Sequence, residues 1–203
     1  MREDRDANGM NAFHRAALEH NLKLVKEMFE IDKDIEKNLK LWVNSETFYG
    51  ETPLLISSML KHKGEVNDEG LNEDRTNFID FMLEKGAQVN TANIYTLWTP
   101  SHWAARHGDM PLLKKLLDKG AMPFTPDKAG YFPIDFAGKF EHWDIVKELV
   151  DVSLEKFKHL QTNTQANSPE ITQFAKLTTD LELLSQELLE ERMPFVKKPD
   201  DLL

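Results

Sequence analysis

The 203-residue sequence predicts an all-α fold of repeated helix–turn–helix units followed by a C-terminal helical extension. Three observations carry that expectation. A seven-residue frame recurs at Asn11-Ala12-Phe13-His14-Arg15-Ala16-Ala17, Thr52-Pro53-Leu54-Leu55-Ile56-Ser57-Ser58, Thr99-Pro100-Ser101-His102-Trp103-Ala104-Ala105 and Phe132-Pro133-Ile134-Asp135-Phe136-Ala137-Gly138. Downstream of each frame runs a pattern of two apolar, two other and two apolar residues. Beyond Val150 the repetition stops, and a new apolar stripe begins at spacings of three and four.

The frame opens the first helix of each unit. Proline at its second position suits a helix start, where the missing N–H costs nothing. Small residues at the sixth and seventh positions let first helices of adjacent units approach closely. The doublets Leu24-Val25…Met28-Phe29, Phe78-Ile79…Met82-Leu83, Leu112-Leu113…Leu116-Leu117 and Ile145-Val146…Leu149-Val150 form one broad face of a second helix. Gly108 falls between the helices of unit three, and Gly86 and Gly120 fall where a left-handed C-cap is expected. The connectors from Val43-Asn44 to Gly50 and from Pro123 to Gly130 read as turns projecting from the stack. Units start near 11, 52, 99 and 132, so only the last interval, 33, is uninterrupted. The eight extra residues of unit one are expected to lengthen its second helix to near Asn38–Trp42. About thirteen residues are inserted in unit two, and Lys61–Arg75, with Gly64, Gly70, two Asn and five acids, reads as a solvated loop.

These units resemble ankyrin repeats, whose helix-opening signature is Thr-Pro-Leu-His-x-Ala on a period of 33. Unit three matches best, through Thr99, Pro100, His102, Ala104, Ala105, Gly108, its leucine doublets and Gly120-Ala121. Val43-Asn44, Val89-Asn90, Asp127 and Gly130 match the connectors. Unit one departs with Asn11-Ala12 for Thr-Pro, and unit four with Phe132 and Asp135 for Thr and His, as terminal repeats commonly do. The resemblance implies an ankyrin solenoid over residues 10–152, preceded by an N-terminal arm, 1–9, and followed by an extension, 153–203.

In that extension the last repeat helix is expected to continue through Leu154, Phe157 and Leu160, until the polar stretch Gln161–Asn167. Ser168-Pro169 then announces a second, amphipathic helix over about 169–192, with Ser168 as N-cap. Ile171, Phe174, Leu177, Leu181, Leu184 and Leu188 make its apolar stripe. Two readings stay open: a cap folded on the last repeat, or a coiled-coil or groove-binding helix that docks elsewhere.

Composition excludes several classes of function. Twenty-five Lys+Arg against 35 Asp+Glu give a net charge of −10, and no run of five basic residues exists, so direct nucleic-acid binding is not expected. Zero cysteines remove thiol catalysis, disulfides and thiolate zinc sites. No stretch of 18 apolar residues appears, so membrane insertion is not expected, and the acid-rich start lacks a secretory h-region. The expected setting is intracellular and cytoplasmic, not secreted, with nucleus, cytoskeleton and cilium left open. His14 and His102 read as structural, and no metal or cofactor site is expected. No phosphate loop or nucleophile elbow is present, so the sequence does not read as an enzyme.

The resemblance also implies a concave partner-binding face built from hairpin tips and first helices. Carried onto this sequence, the tips supply Phe48, Tyr49, Glu51, Tyr95, Trp98, Lys128 and Tyr131. The first helices supply Leu18, Glu19, Met59, Leu60, Arg106, His107, Lys139 and Phe140. All three tyrosines fall on tips, and Tyr, Trp and Arg dominate interface hot spots. The same rings could instead pack between hairpins and stiffen the array. Asn44 and Asn90 read first as turn asparagines that satisfy backbone groups, at a position that is hydroxylated in some ankyrin proteins. The expected function is protein–protein interaction, as an adaptor or scaffold that captures a partner in the groove. The alternative is a constitutive subunit of a larger assembly, docked through groove and C-terminal helix together. More remote is an enzyme or inhibitor acting through the extension.

Overall fold

The computed structural model describes residues 5–31, 38–60 and 69–163. Nine helices and no strand occur among the described residues: α1 (Ala12–Glu19), α2 (Leu22–Ile31), α3 (Leu39–Val43), α4 (Pro53–Met59), α5 (Glu69–Glu84), α6 (Pro100–His107), α7 (Met110–Asp118), α8 (Pro133–Lys139) and α9 (Trp143–Asn163). The chain divides into two compact units, 1–140 and 141–203.

In the first unit, the opening helices α1, α4, α6 and α8 pack successively, each against the next. The small residues of the frame explain the close approach: Ala16, Ala17, Ser57, Ser58, Ala104, Ala105 and Ala137 are all buried. Helices α4, α6 and α8 begin on Pro53, Pro100 and Pro133 at N1. The second helices α2, α5 and α7 bury the doublets, including Val25, Phe78, Met82, Leu112, Leu113 and Leu116. Phe13, Val43, Ile56, Phe78 and Met82 join in one cluster, onto which Trp42, stacked on Phe13 at 5.7 Å, also packs.

Side chains tie successive units together where the connectors leave the second helices. Asn44 accepts a hydrogen bond from the Gln88 N–H at 2.7 Å and donates to the Gly86 carbonyl at 3.0 Å. One unit on, Asn90 accepts from the Met122 N–H at 2.9 Å and donates to the Gly120 carbonyl at 3.3 Å. Gly86 and Gly120 hold the left-handed conformation expected of them, with φ of +85° and +88°.

In unit one a separate helix α3 starts after Asn38, and residues 32–37, over which α2 was expected to lengthen, lie outside the described residues. One sequence expectation is corrected. The insertion of unit two is not a loop throughout, because its residues from Glu69 onward are helical and belong to α5. Its Gly, Asn and acid content reads as loop, yet extending an already anchored helix by two turns costs little nucleation. Arg75 then lies three and four residues before Phe78 and Ile79, on the buried face. Its guanidinium is buried, donates to the Asp109 carboxylate at 2.6 Å, and donates through Nε to the Ser57 carbonyl at 3.2 Å. Asp109 also caps α7 by accepting from the Leu112 N–H.

The second unit is described through α9, which runs as expected past Leu154 into the polar stretch, as far as Asn163. Ile145, Val146, Leu149 and Val150 of its doublets are buried. The expected amphipathic helix over 169–192, with Ile171, Phe174, Leu177, Leu181, Leu184 and Leu188, lies outside the described residues.

Replacing Asp109 by Ala removes both the α7 cap and the carboxylate facing a buried guanidinium. The expected cost is about 3–5 kcal/mol, read as a drop in the urea or thermal unfolding midpoint. Asp109→Asn keeps the cap and should lose less.

Candidate partner-binding face

The turns preceding the four first helices share one construction. Each is closed by a side-chain oxygen that accepts two backbone N–H groups, which is how Asp, Asn and Thr stabilise turns. Asp6 accepts from Asn8 and Met10, Thr47 from Tyr49 and Glu51, Asn93 from Tyr95 and Thr96, and Asp127 from Ala129 and Tyr131. Residues 6–9, read from sequence as part of an arm, thus belong to a turn of the same design as the other three.

Two residues before each unit the backbone turns left-handed, at Gly9, Gly50, Leu97 and Gly130. Gly50 is required twice over: its φ is +73°, and a Cβ there would stand 2.8 Å from the Ile94 side chain. Leu97 adopts φ +59° without glycine's freedom, a conformation costly for an L-residue.

The tips are chained to one another by backbone hydrogen bonds. Phe48 donates to the Asn8 carbonyl at 3.0 Å, Ile94 to Tyr49 at 2.9 Å, and Lys128 to Thr96 at 2.9 Å. Glu51, buried, accepts from the Asn93 amide at 2.7 Å. This ladder holds the tips in line and turns their side chains outward. Phe48 is 64% exposed, Tyr95 59% and Tyr131 56%, while Tyr49 lies 5.9 Å from Tyr95.

Trp98 is placed differently from the tyrosines. Its ring meets Trp103 and Phe136 edge-on, at 4.7 and 4.5 Å, and stacks on His102 at 6.1 Å. Its indole N–H donates to Asp127 at 3.0 Å. Burial alone would raise the Asp127 carboxyl, but the N–H groups of Tyr131, Trp98 and Ala129 outweigh it and hold its pKa below the ordinary 3.8. Trp98 is half-buried and braces the turn.

The first helices add the rest. The exposed Arg106 guanidinium lies 5.4 Å from Trp98, 5.8 Å from Trp103 and 5.2 Å from Phe140. His107 stacks on Trp103 at 5.5 Å and donates through Nε2 to the Met59 carbonyl at 3.1 Å. Met59 and Leu60 are half-buried, whereas Leu18, Glu19, Lys128, Lys139 and Phe140 are exposed. Sequence reasoning missed two apolar side chains on the same tips, Ile94 and Leu97, 54% and 43% exposed. The frame carried a signal for the second: Leu97 stands where the other turns have glycine.

The two signature histidines are buried and committed. His14 accepts from the Asn11 N–H through Nδ1, while Nε2 donates to the Ser45 carbonyl at 2.9 Å. His102 accepts from the Thr99 N–H at 3.1 Å and donates to the Tyr131 carbonyl at 3.3 Å. In unit four Asp135 takes over the capping half of that task, accepting from the Phe132 N–H at 2.7 Å. Among the described residues no group of three His, Asp or Glu side chains is placed to hold a metal, and no helix is long and apolar enough to cross a membrane.

A model of the ankyrin repeat matches residues 96–128, the span from the third turn through α6 and α7 to the fourth turn. That span is an ankyrin repeat, and the chain as a whole is similar to ankyrin-repeat proteins. It is similar to the tyrosine-protein kinase Shark of Drosophila melanogaster, 28% identical over 133 residues, covering 66% of this chain and 12% of that protein. It is similar to the ARF GTPase-activating protein GIT1 of Homo sapiens, 30% identical over 54% of this chain and 17% of that protein. A putative ankyrin repeat protein of Rickettsia bellii is 28% identical over 64% of this chain and 67% of its own length. The chain thus spans only a small part of the first two relatives. Ankyrin repeats generally mediate protein–protein interaction, and the family is typically non-enzymatic.

Two predictions follow from the turn and the buried ring. Leu97→Gly relieves the left-handed strain and should raise the thermal midpoint, by a stabilisation of about 1 kcal/mol. His102 has its pKa lowered from 6.5, by burial first, against the opposing pull of the Tyr131 carbonyl and the Asp127 and Asp135 carboxylates. Below 6.5 the unfolded chain binds a proton that the folded ring refuses. The stability tied to the neutral ring is therefore present above that value and lost as pH falls through it. Urea midpoints at about pH 7.5 and about pH 5.5 should fall further for the wild type than for His102→Gln.

Proposed function

We propose that this chain is a non-enzymatic protein-binding module, an adaptor or scaffold. The partner engages the hairpin tips through Phe48, Tyr49, Tyr95 and Tyr131, and the first-helix side chains Met59, Leu60, Arg106, His107 and Phe140. Trp98 supports the floor between them. The observation that carries this reading is the exposure of aromatic rings on turns whose backbones are hydrogen-bonded to each other. Rigid turns lose little further freedom on binding, so the area that the rings bury is retained as affinity. Aromatic side chains bury much surface with few rotamers, as hot spots require.

The relatives support a module over a catalytic segment. Their names carry a kinase and a GTPase-activating protein, two unrelated activities. A stretch similar to both goes with neither chemistry in particular.

The test separates exposed rings from bracing ones. A photoreactive phenylalanine analogue placed at Tyr95 or Tyr131 should give discrete adducts in extract of the source cells, and one at Asp118 should not. Tyr95→Ala with Tyr131→Ala should abolish the adducts formed from Phe48, while each substitution changes stability by no more than about 0.5 kcal/mol. Equal cross-linking from all sites, or adducts unaffected by the double substitution, would sink the reading.

A further inference from the structure

Of the chain's nine glycines only Gly9 follows an asparagine, in the run Asp6-Ala7-Asn8-Gly9-Met10. That dipeptide carries a chemistry of its own. The main-chain nitrogen after an asparagine is placed to attack the side-chain amide carbon, and glycine adds no side chain to hinder the approach.

The fold sets this pair in the first tip and occupies its backbone. The Asn8 N–H donates to the Asp6 carboxylate at 2.9 Å, and the Asn8 carbonyl accepts from the Phe48 N–H at 3.0 Å. The Gly9 N–H donates to the Asp6 carbonyl at 2.9 Å, and its carbonyl accepts from the Arg5 guanidinium at 3.1 Å. Gly9 is buried in the left-handed conformation, with φ of +77°, and a Cβ there would stand 2.9 Å from the Phe48 ring. The Asn8 side chain is exposed, its amide oxygen 3.5 Å from the Tyr49 hydroxyl. The electrophile thus stands in water while the nucleophile is shut away. Attack needs Gly9 nitrogen stripped of the proton it shares with Asp6, so it waits for the turn to open. Surface turns open locally at far smaller cost than the whole fold.

We propose that Asn8 is a deamidation site whose rate is set by opening of the first tip, and that its conversion unlatches this tip from the second. In the opened turn Gly9 nitrogen bonds to Asn8 Cγ while the Cγ–Nδ2 bond breaks. The proton lost from Gly9 leaves with Nδ2 as ammonia, and a cyclic succinimide remains. Water then opens the ring, its hydroxyl going to a carbonyl carbon and its proton to the nitrogen. Breaking the new bond to Cγ leaves an aspartyl residue at position 8. Breaking the bond to the main-chain carbonyl carbon leaves an isoaspartyl residue, whose chain runs through the side-chain carbon. Either product sets a negative charge beside Asp6. The isoaspartyl form also lengthens the backbone by one carbon, which displaces Gly9 from the Asp6 carbonyl and from the Phe48 ring packed on it.

The experiment incubates the 203-residue chain at neutral pH, in buffer and in guanidinium chloride. Trypsin, cutting after Arg5 and Arg15, yields one peptide that holds both Asn8 and Asn11. Mass spectrometry and isoaspartyl methyltransferase labelling then locate and classify the product. Conversion is expected at Asn8 and not at Asn11, which is buried and precedes alanine. It should run several-fold slower in buffer than in denaturant. Asp6→Ala, which removes the acceptor of Asn8 and Met10, should speed it several-fold in buffer, whereas Asp6→Asn keeps an acceptor oxygen and should stay near the wild type. Should Asp6→Ala unfold, Arg5→Gln, which withdraws a donor from the Gly9 and Glu46 carbonyls, carries the comparison. In the converted fraction, separated by ion exchange, the Phe48 amide should lose hydrogen-exchange protection while that of Ile94 keeps it. Equal rates in buffer and denaturant overturn control by the turn. Conversion at Asn11 ahead of Asn8, or none at Asn8 in denaturant, overturns the site. A converted fraction with the Phe48 amide still protected overturns the unlatching.

Discussion

A neutral, buried imidazole that spans two units is the interaction on which the array depends. In unit one and unit three the ring accepts from the N–H at the start of its own helix and donates to a carbonyl of the next turn. Only the tautomer with hydrogen on Nε2 satisfies both ends, and at His102 burial favours that uncharged form. The bond therefore fixes three things together: where a helix starts, where the next turn lies, and the spacing between them. Losing it would leave buried backbone groups unsatisfied, which costs more than a typical hydrogen bond supplies. Unit two has Leu55 in that slot. There the join to unit three runs through Asn93 on Glu51, the backbone bond from Ile94 to Tyr49, and the buried Arg75–Asp109 pair.

Because the turns are spaced by these bonds, they can be used as a rigid comb. The tips stand in sequence and are hydrogen-bonded through their own backbones, so side chains at corresponding positions are displayed in a row. Polar closure is done by Asp6, Thr47, Asn93 and Asp127 within each turn, which leaves other positions of the tips to aromatic residues. Trp98 shows the other use of a ring at a tip. It is tied by its N–H to Asp127, twenty-nine residues on, and its faces are taken by His102 and by the edges of Trp103 and Phe136.

Much of this was legible without coordinates. The frame located Pro53, Pro100 and Pro133 at helix starts, and the doublets located the buried faces, because both obey local periodicities. The left-handed Gly86 and Gly120 were legible for the same reason. His20 and Glu141, with φ of +50° and +62°, occupy the place that Gly108 holds in unit three. At those positions the left-handed conformation is adopted without glycine. The insertion of unit two defeated composition, since Gly70, Asn72 and the surrounding acids carry loop chemistry while the helix beyond them supplies the nucleus. Arg75 looked like the end of a solvated loop and is instead a buried ion pair, a role that no residue near it in sequence reveals.

The sequence by itself determined the register of the repeats, the faces of their helices and the residues that cap and bend the chain, because each depends on neighbours within a turn or two. Tertiary structure alone decided which aromatic rings are displayed and which are braced. Tyr95 and Trp98 are three residues apart on one turn, yet one is exposed and the other is held by Asp127 and Phe136. It also decided that Arg106 is set among three rings. Those outcomes are fixed by groups up to about forty residues away in sequence, whose positions follow from packing between units and not from any local pattern.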